Sequence, residues 1–239
     1  MQLLTRWWIA LIILLEIVLP AWYIVRCSFP QLSLADTHGL LVADPQLTDY
    51  HSYSHNGLLL LLEQFYCDHY MRRNWRLLLN KAPSFVVFLG DLMDGGRELD
   101  SYNYKLELLR FRRIFKLSYP LLTIGVPGNH DIGFGNTVVP KAYDVYAQTF
   151  GTLNQVVQVA NHSFICLDTV SLSATVETPQ KLAAQAFLDQ LAVSNRFAFE
   201  QQNILLTHVP LYRPPASDCG PIRTRPPIVN AYGHQYQSI

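Results

Sequence analysis

The sequence predicts an α/β domain behind an N-terminal membrane helix, and two observations predict it. From about residue 40 onward, short apolar runs alternate with longer stretches of helical periodicity, as in strands joined by helical crossovers. Ahead of them lies one unbroken apolar run, Trp7 to Val25. Composition agrees. Half of the 239 residues are apolar and 15% are charged, which excludes disorder, collagen and a long coiled coil. Lys plus Arg and Asp plus Glu balance at 18 each, so no broad nucleic-acid surface is expected. Cys27, Cys67, Cys166 and Cys219 lie far apart and form neither a zinc knuckle nor a disulfide framework.

The first element is the run WWIALIILLEIVLPAWYIV, bracketed by Arg6 and Arg26. As a helix it is about 28 Å long, the thickness of a bilayer's hydrocarbon core. Trp7, Trp8, Trp22 and Tyr23 lie near its ends, where aromatic belts form. Glu16 is the one charge inside it, and Pro20 predicts a kink. The run is longer than the core of a cleaved signal and lacks a clear small-residue cleavage site, so an uncleaved anchor over residues 1–26 is expected. Residues 27–39 read as a linker, and residues 40–239 as the domain.

Within the domain the apolar runs predict strands at Leu40–Ala43, Phe85–Leu89, Leu121–Val126, Val156–Ala160, Phe164–Leu167 and Ile204–Thr207. The helical patterns predict helices at His55–Asn80, Tyr102–Leu117, Lys141–Phe150 and Gln180–Arg196. Val156–Ala160 and Phe164–Leu167 read as a hairpin whose turn carries the glycosylation sequon Asn161-His162-Ser163. Five prolines between residues 213 and 227 predict an irregular loop.

Four strands are followed at once by metal-liganding residue types. The segments are LLVADPQ with Asp44 and Gln46, FVVFLGDLMDGG with Asp91 and Asp94, LLTIGVPGNHD with Asn129, His130 and Asp131, and NILLTHVP with His208. Residues at strand C-terminal ends converge on one edge of an open α/β sheet, where such sheets place their sites. Carboxylate, amide and imidazole ligands together suit Mn, Fe or Zn. Gly90, Gly95, Gly96 and Gly128 let the backbone turn tightly beside them. Asp36-Thr37-His38 offers a competing ligand pair, but Leu40–Ala43 is the better strand and favours Asp44. Asp94 reads as a loop cap, His51, His55, His69 and His162 as surface histidines, and Arg97 and Arg213 as arginines of the site loops.

Gly90-Asp91-x-x-Asp94-Gly95 followed by Gly128-Asn129-His130-Asp131 resembles the calcineurin-like metallophosphoesterase superfamily. The resemblance implies a four-layered α/β/β/α sandwich and two divalent metal ions, with manganese foremost and zinc or iron as alternatives. It implies that Asp44 and Gln46 serve the first metal, that Asp91 bridges both, and that Asn129 and His208 hold the second. His130 would stabilise the phosphoryl transition state or protonate the leaving oxygen, oriented by Asp131. The superfamily's usual Asp-x-His is Asp44-Pro45-Gln46 here, and its closing Gly-His-x-His is half-matched by Gly233-His234-Gln235-Tyr236.

Asp-Pro-Gln, Cys219-Gly220-Pro221 and Gln235-Tyr236-Gln237 resemble the fungal membrane-bound phosphoesterases that remodel glycosylphosphatidylinositol (GPI) anchors. That resemblance implies hydrolysis of the phosphodiester joining ethanolamine phosphate to a mannose of the GPI glycan. It also implies a lumenal domain at the endoplasmic reticulum membrane, with GPI lipid or GPI-anchored proteins as partners and an effect on their export. It places the closing histidines beyond Ile239, so a sandwich incomplete at its C-terminal edge is expected. Two other readings stand beside it: a non-catalytic lumenal cargo-binding relative, and a phosphoesterase acting on another substrate.

Overall fold

The computed structural model describes residues 2–26, 37–117, 119, 122–134, 137–193 and 202–210. The proline-rich stretch, Arg213, Cys219 and His234 lie outside these residues, as do Asp36 and the greater part of the expected linker. Contacts divide the chain into two compact units, Met1–Asp36 and Thr37–Ile239.

The first unit is helical: α1 (Gln2–Ile13), a π-helical turn (Leu14–Val18) and α2 (Leu19–Arg26). Thr5–Tyr23 is long and apolar enough to cross a membrane. The wide turn falls just ahead of Pro20, whose ring crowds the carbonyl four residues back and whose nitrogen cannot bond it. The Leu19 N–H reaches Leu14 O instead, so the expected kink takes the form of a π turn.

The second unit begins with β1 (Gly39–Val42), α3 (Gly57–Leu79), β2 (Phe85–Phe88), α4 (Ser101–Ile114) and β3 (Leu122–Gly125). The three strands are parallel in the order β1-β2-β3, with Gly39 opposite Phe85 and Phe85 opposite Leu122. Successive right-handed crossovers in one direction put both helices on the same face of a sheet. Accordingly Val86 and Phe88 of β2 pack with Trp75 and Leu79 of α3 and with Tyr104, Phe111 and Ile114 of α4. Phe88 meets Phe111 with ring centroids 5.3 Å apart. The alternate residues Phe85 and Val87 point to the other face, as strand geometry requires.

That other face is covered by a second sheet. The chain continues through the single turn α5 (Asn129–Ile132), a two-residue ladder of β4 (Gly133–Phe134) with β5 (Thr137–Val138), and α6 (Pro140–Phe150). Then come β6 (Gln155–Val159), β7 (His162–Cys166), α7 (Thr169–Leu172), α8 (Pro179–Val193) and β8 (Gln202–Leu206). β6 and β7 form the expected antiparallel hairpin, and β8 joins β7 in parallel. Val159, Phe164, Cys166 and Leu206 bury against Phe85, Val87, Ile124 and Val126, with the Phe85 and Phe164 rings edge to face at 5.2 Å. α8 sets Ala184 and Phe187 against Leu167 and Leu172. The layers therefore run helix, sheet, sheet, helix, and the C-terminal ends of β1, β2, β3 and β8 open on one edge.

Candidate metal centre and active site

At that edge the loops after β1 and β2 continue the sheet's pairing. Asp44 N–H bonds Gly90 O at 3.3 Å, Gln46 N–H bonds Asp91 O at 2.9 Å and Leu47 N–H bonds Leu92 O at 3.2 Å. Asp44, Gln46 and Asp91 all take positive φ (48°, 37° and 52°), a region that costs most L-residues about 1–2 kcal/mol and that Asp tolerates best. Gly90 has φ 91°, and a Cβ there would lie 2.6 Å from both Gly128 N and His208 Nδ1. A Cβ on Gly128 would strike the Asp91 carboxylate and backbone. The two glycines let the loops after β2 and β3 pass in contact.

Asp44, Asp91 and His208 present ligand atoms that all lie within 4.8 Å of one another. His208 Nδ1 is 3.7 Å from Asp44 Oδ1, and its Nε2 is 3.5 Å from Asp91 Oδ1 and 3.1 Å from Asn129 Oδ1. Gln46 sits alongside, its Nε2 donating to Asp91 Oδ2 at 3.2 Å. Thus the five residues expected to hold metal are brought together.

The chemistry of this donor set fits a cation. Leu89 O lies 2.8 Å from His208 Nδ1, so that nitrogen donates to the carbonyl. Nε2 faces Asn129 Oδ1 and Asp91 Oδ1, and Asp44 stands beside the same ring. Imidazole, amide oxygen and two carboxylates gathered in one cluster suit a divalent metal ion. A ring N–H held by a backbone carbonyl is also the usual support of a metal-bound histidine. Thr169, the first residue of α7, adds a second support: its Oγ1 accepts the N–H groups of His208 at 3.3 Å and Val209 at 2.9 Å. No motif marks Thr169; only the pairing of β7 with β8 brings it here.

His130 is fixed from two sides. Its backbone N–H donates to Asp91 Oδ1 at 2.8 Å, and its ring Nδ1 lies 2.5 Å from Asp94 O and 3.1 Å from Asp94 Oδ1. This corrects two expectations. The carboxylate that meets the His130 ring belongs to Asp94, which is therefore more than a loop cap. Asp131 points elsewhere, because successive residues of the one-turn α5 face directions about 100° apart. Asp131 instead accepts Leu92 N–H through Oδ1 and Gly128 N–H through Oδ2, each at 2.9 Å. It locks the loop after β2 to the loop after β3. Burial pushes its carboxyl up to about 7, the Gly128 N–H opposes this, and the nearby Asp91 charge adds to it.

Arg97 also reaches this edge, its guanidinium donating to Asn129 O at 3.2 Å. His51 and His55 pair with Asp49 and Glu63 instead.

The calcineurin-like phosphoesterase family profile matches residues 30–237, most of the chain. The chain belongs to the calcineurin-like phosphoesterase family. Among its relatives, Cell division control protein 1 of Saccharomyces cerevisiae is 38% identical over 213 residues, covering 86% of this chain and 42% of that protein. Metallophosphoesterase 1 of Danio rerio is 28% identical over 244 residues, covering 91% of this chain and 61% of that protein. The Metallophosphoesterase 1 homolog of Caenorhabditis elegans is 24% identical over 158 residues, covering 62% of this chain and 41% of that protein. The chain spans about half the length of these curated relatives.

Proposed function

We propose that the chain is a metal-dependent phosphodiesterase that removes ethanolamine phosphate from a mannose of GPI anchors. On this reading it works at the endoplasmic reticulum membrane, anchored by its N-terminal helix, and affects the export of GPI-anchored proteins. The observation that carries the hydrolase reading is the convergence of Asp44, Asp91 and His208, with Asn129 completing the donor set. Asp44 and Gln46 would serve one ion, Asn129 and His208 a second, and Asp91 both. Two divalent ions, manganese foremost, would clamp a phosphate and activate a water for in-line attack.

The chain's own residues set the rest. Asp94 holds His130 Nδ1, which leaves Nε2 to meet the phosphoryl group or to hand a proton to the departing alkoxide oxygen. Asp131 keeps the two loops in register. The substrate assignment is supported by Asp44-Pro45-Gln46, shared with the GPI-remodelling branch, and by an apolar span that would confine enzyme and lipid substrate to one surface.

The test loads the purified full-length chain with Mn²⁺ and offers a mannose–ethanolamine-phosphate GPI glycan, bis(p-nitrophenyl) phosphate and p-nitrophenyl phosphate. Release of ethanolamine phosphate, with the diester preferred over the monoester, is the expected result. Binding of less than one ion per chain would overturn the metalloenzyme reading. Hydrolysis of the aryl diester without any on the glycan would move the substrate elsewhere.

A further inference from the structure

α3 divides into two unlike halves. Its C-terminal half supplies Trp75 and Leu79 to the core, and they are its buried residues. Its N-terminal half, GLLLLLEQFY, leaves its large apolar side chains in the open: Leu58 is 72% exposed, Leu61 62% and Phe65 63%, with Leu62 and Tyr66 near half. A helix that buried this half in its own domain would not show such values. An exposed apolar patch of this kind marks a contact surface.

Three observations choose the occupant. First, the stripe Leu58, Leu62, Phe65, His69, Arg72, Arg76 follows the four-and-three spacing of one helix face, apolar for its first turns and basic for its last. An apolar face continuing into arginines suits acyl chains beside lipid phosphates, with Phe65, Tyr66 and Tyr70 at the depth where aromatic rings partition. Second, the same chain carries the membrane-length helix Thr5–Tyr23. The segment from Cys27 to His38 can extend at most about 45 Å, roughly the width of such a domain. Third, the apolar end of α3 lies at the site edge. It follows the loop that carries Asp44 and Gln46, and Gln64 ties it to Thr48 O at 3.1 Å.

We propose that the N-terminal half of α3 docks on the bilayer interface and so turns the rim of the metal centre toward the lipid surface. This rests on reading Thr5–Tyr23 as a membrane span. An α3-docked domain would meet a lipid-linked phosphodiester at the membrane, where its substrate is concentrated.

The test places p-benzoylphenylalanine at Leu62, at Phe65 or, as control, at Leu182 of α8, in the outer layer across both sheets. The full chain is reconstituted in phosphatidylcholine–phosphatidylserine nanodiscs and irradiated. Lipid adducts at Leu62 and Phe65 about tenfold above those at Leu182 are expected. A chain that does not enter the discs overturns the anchor and the docking together. A chain in the discs whose Leu62 and Phe65 probes give no more lipid adduct than Leu182 overturns the docking alone. Cross-links from these two positions to peptides of the same chain or of a second copy do the same, because protein would then cover the face.

Discussion

The two sides of the metal centre differ in how firmly the fold holds them. On the deep side Asp91 is 4% exposed, and its carboxylate takes the His130 N–H and an amide hydrogen of Gln46. His208 is held there by Leu89 O and through its backbone by Thr169. On the open side the Asp44 side chain is 57% exposed, and its Oδ1 lies 3.7 Å from His208 Nδ1. A group fixed before metal or substrate arrives needs little reorganisation during reaction, whereas an exposed carboxylate must give up water and rotamer freedom first. The deep side therefore defines the site, and the open side adjusts its affinity.

Asp91→Asn against Asp44→Asn is the direct way to break that contrast. The first should lower kcat/KM on bis(p-nitrophenyl) phosphate by about 10³-fold, and the second by about tenfold at saturating Mn²⁺. Equal losses would show that the two sides are alike. On the proposed reading the His130 ring serves the phosphoryl group and not the metal, so His130→Ala should cost about 10²-fold, mainly in kcat and with ion stoichiometry unchanged. A lost ion in the His130→Ala protein, counted by mass spectrometry, would place that ring among the ligands. Thr169→Val keeps the shape of the side chain but removes the acceptor for two N–H groups. It should weaken Mn²⁺ binding by about tenfold in calorimetric titration, and an unchanged affinity would release Thr169 from its supporting role.

The smallest effect concerns Asp168, which caps the start of α7. Burial raises its carboxyl above the usual 3.8, and its hydrogen bonds to Ser171 oppose that. The folded chain therefore holds this proton more tightly than the unfolded chain. The sign follows: stability from this group is greatest below 3.8 and declines as pH rises past that value toward the raised folded one. Asp168→Asn should flatten that decline in thermal melts taken from pH 4 to 8. A decline of the same slope in the variant would assign it to another group.

Much of this was legible in the sequence. Among the described residues all six expected strands and all four expected helices form, with ends shifted by one to a few residues; Leu121 and residues 194–196 of the expected Gln180–Arg196 helix lie outside the described residues. The period of two in Phe85–Phe88 separates the layers, since Phe85 and Val87 face one core and Val86 and Phe88 the other. Metal-liganding residue types placed just after strands were enough to gather Asp44, Asp91, Asn129 and His208. The supporting contacts were not legible. Whether Asp94 or Asp131 faces the His130 ring depends on how two loops from different strands turn, and both are carboxylates close to it in sequence. Thr169 reaches His208 only through the pairing of β7 with β8, 39 residues apart. The ladder of β4 with β5 is two residues long, too short for any periodicity.

The β6–β7 hairpin has a consequence for handling the protein. Val159 pairs with His162, so Ala160 and Asn161 form a two-residue turn at the start of β7, while the metal centre lies beyond the strand's other end, about 17 Å along. Whatever is attached at Asn161, whether a glycan, a fluorophore or a surface tether, occupies the pole opposite the chemistry. This position is the natural handle for immobilising or imaging the enzyme, and bulk there should leave turnover untouched.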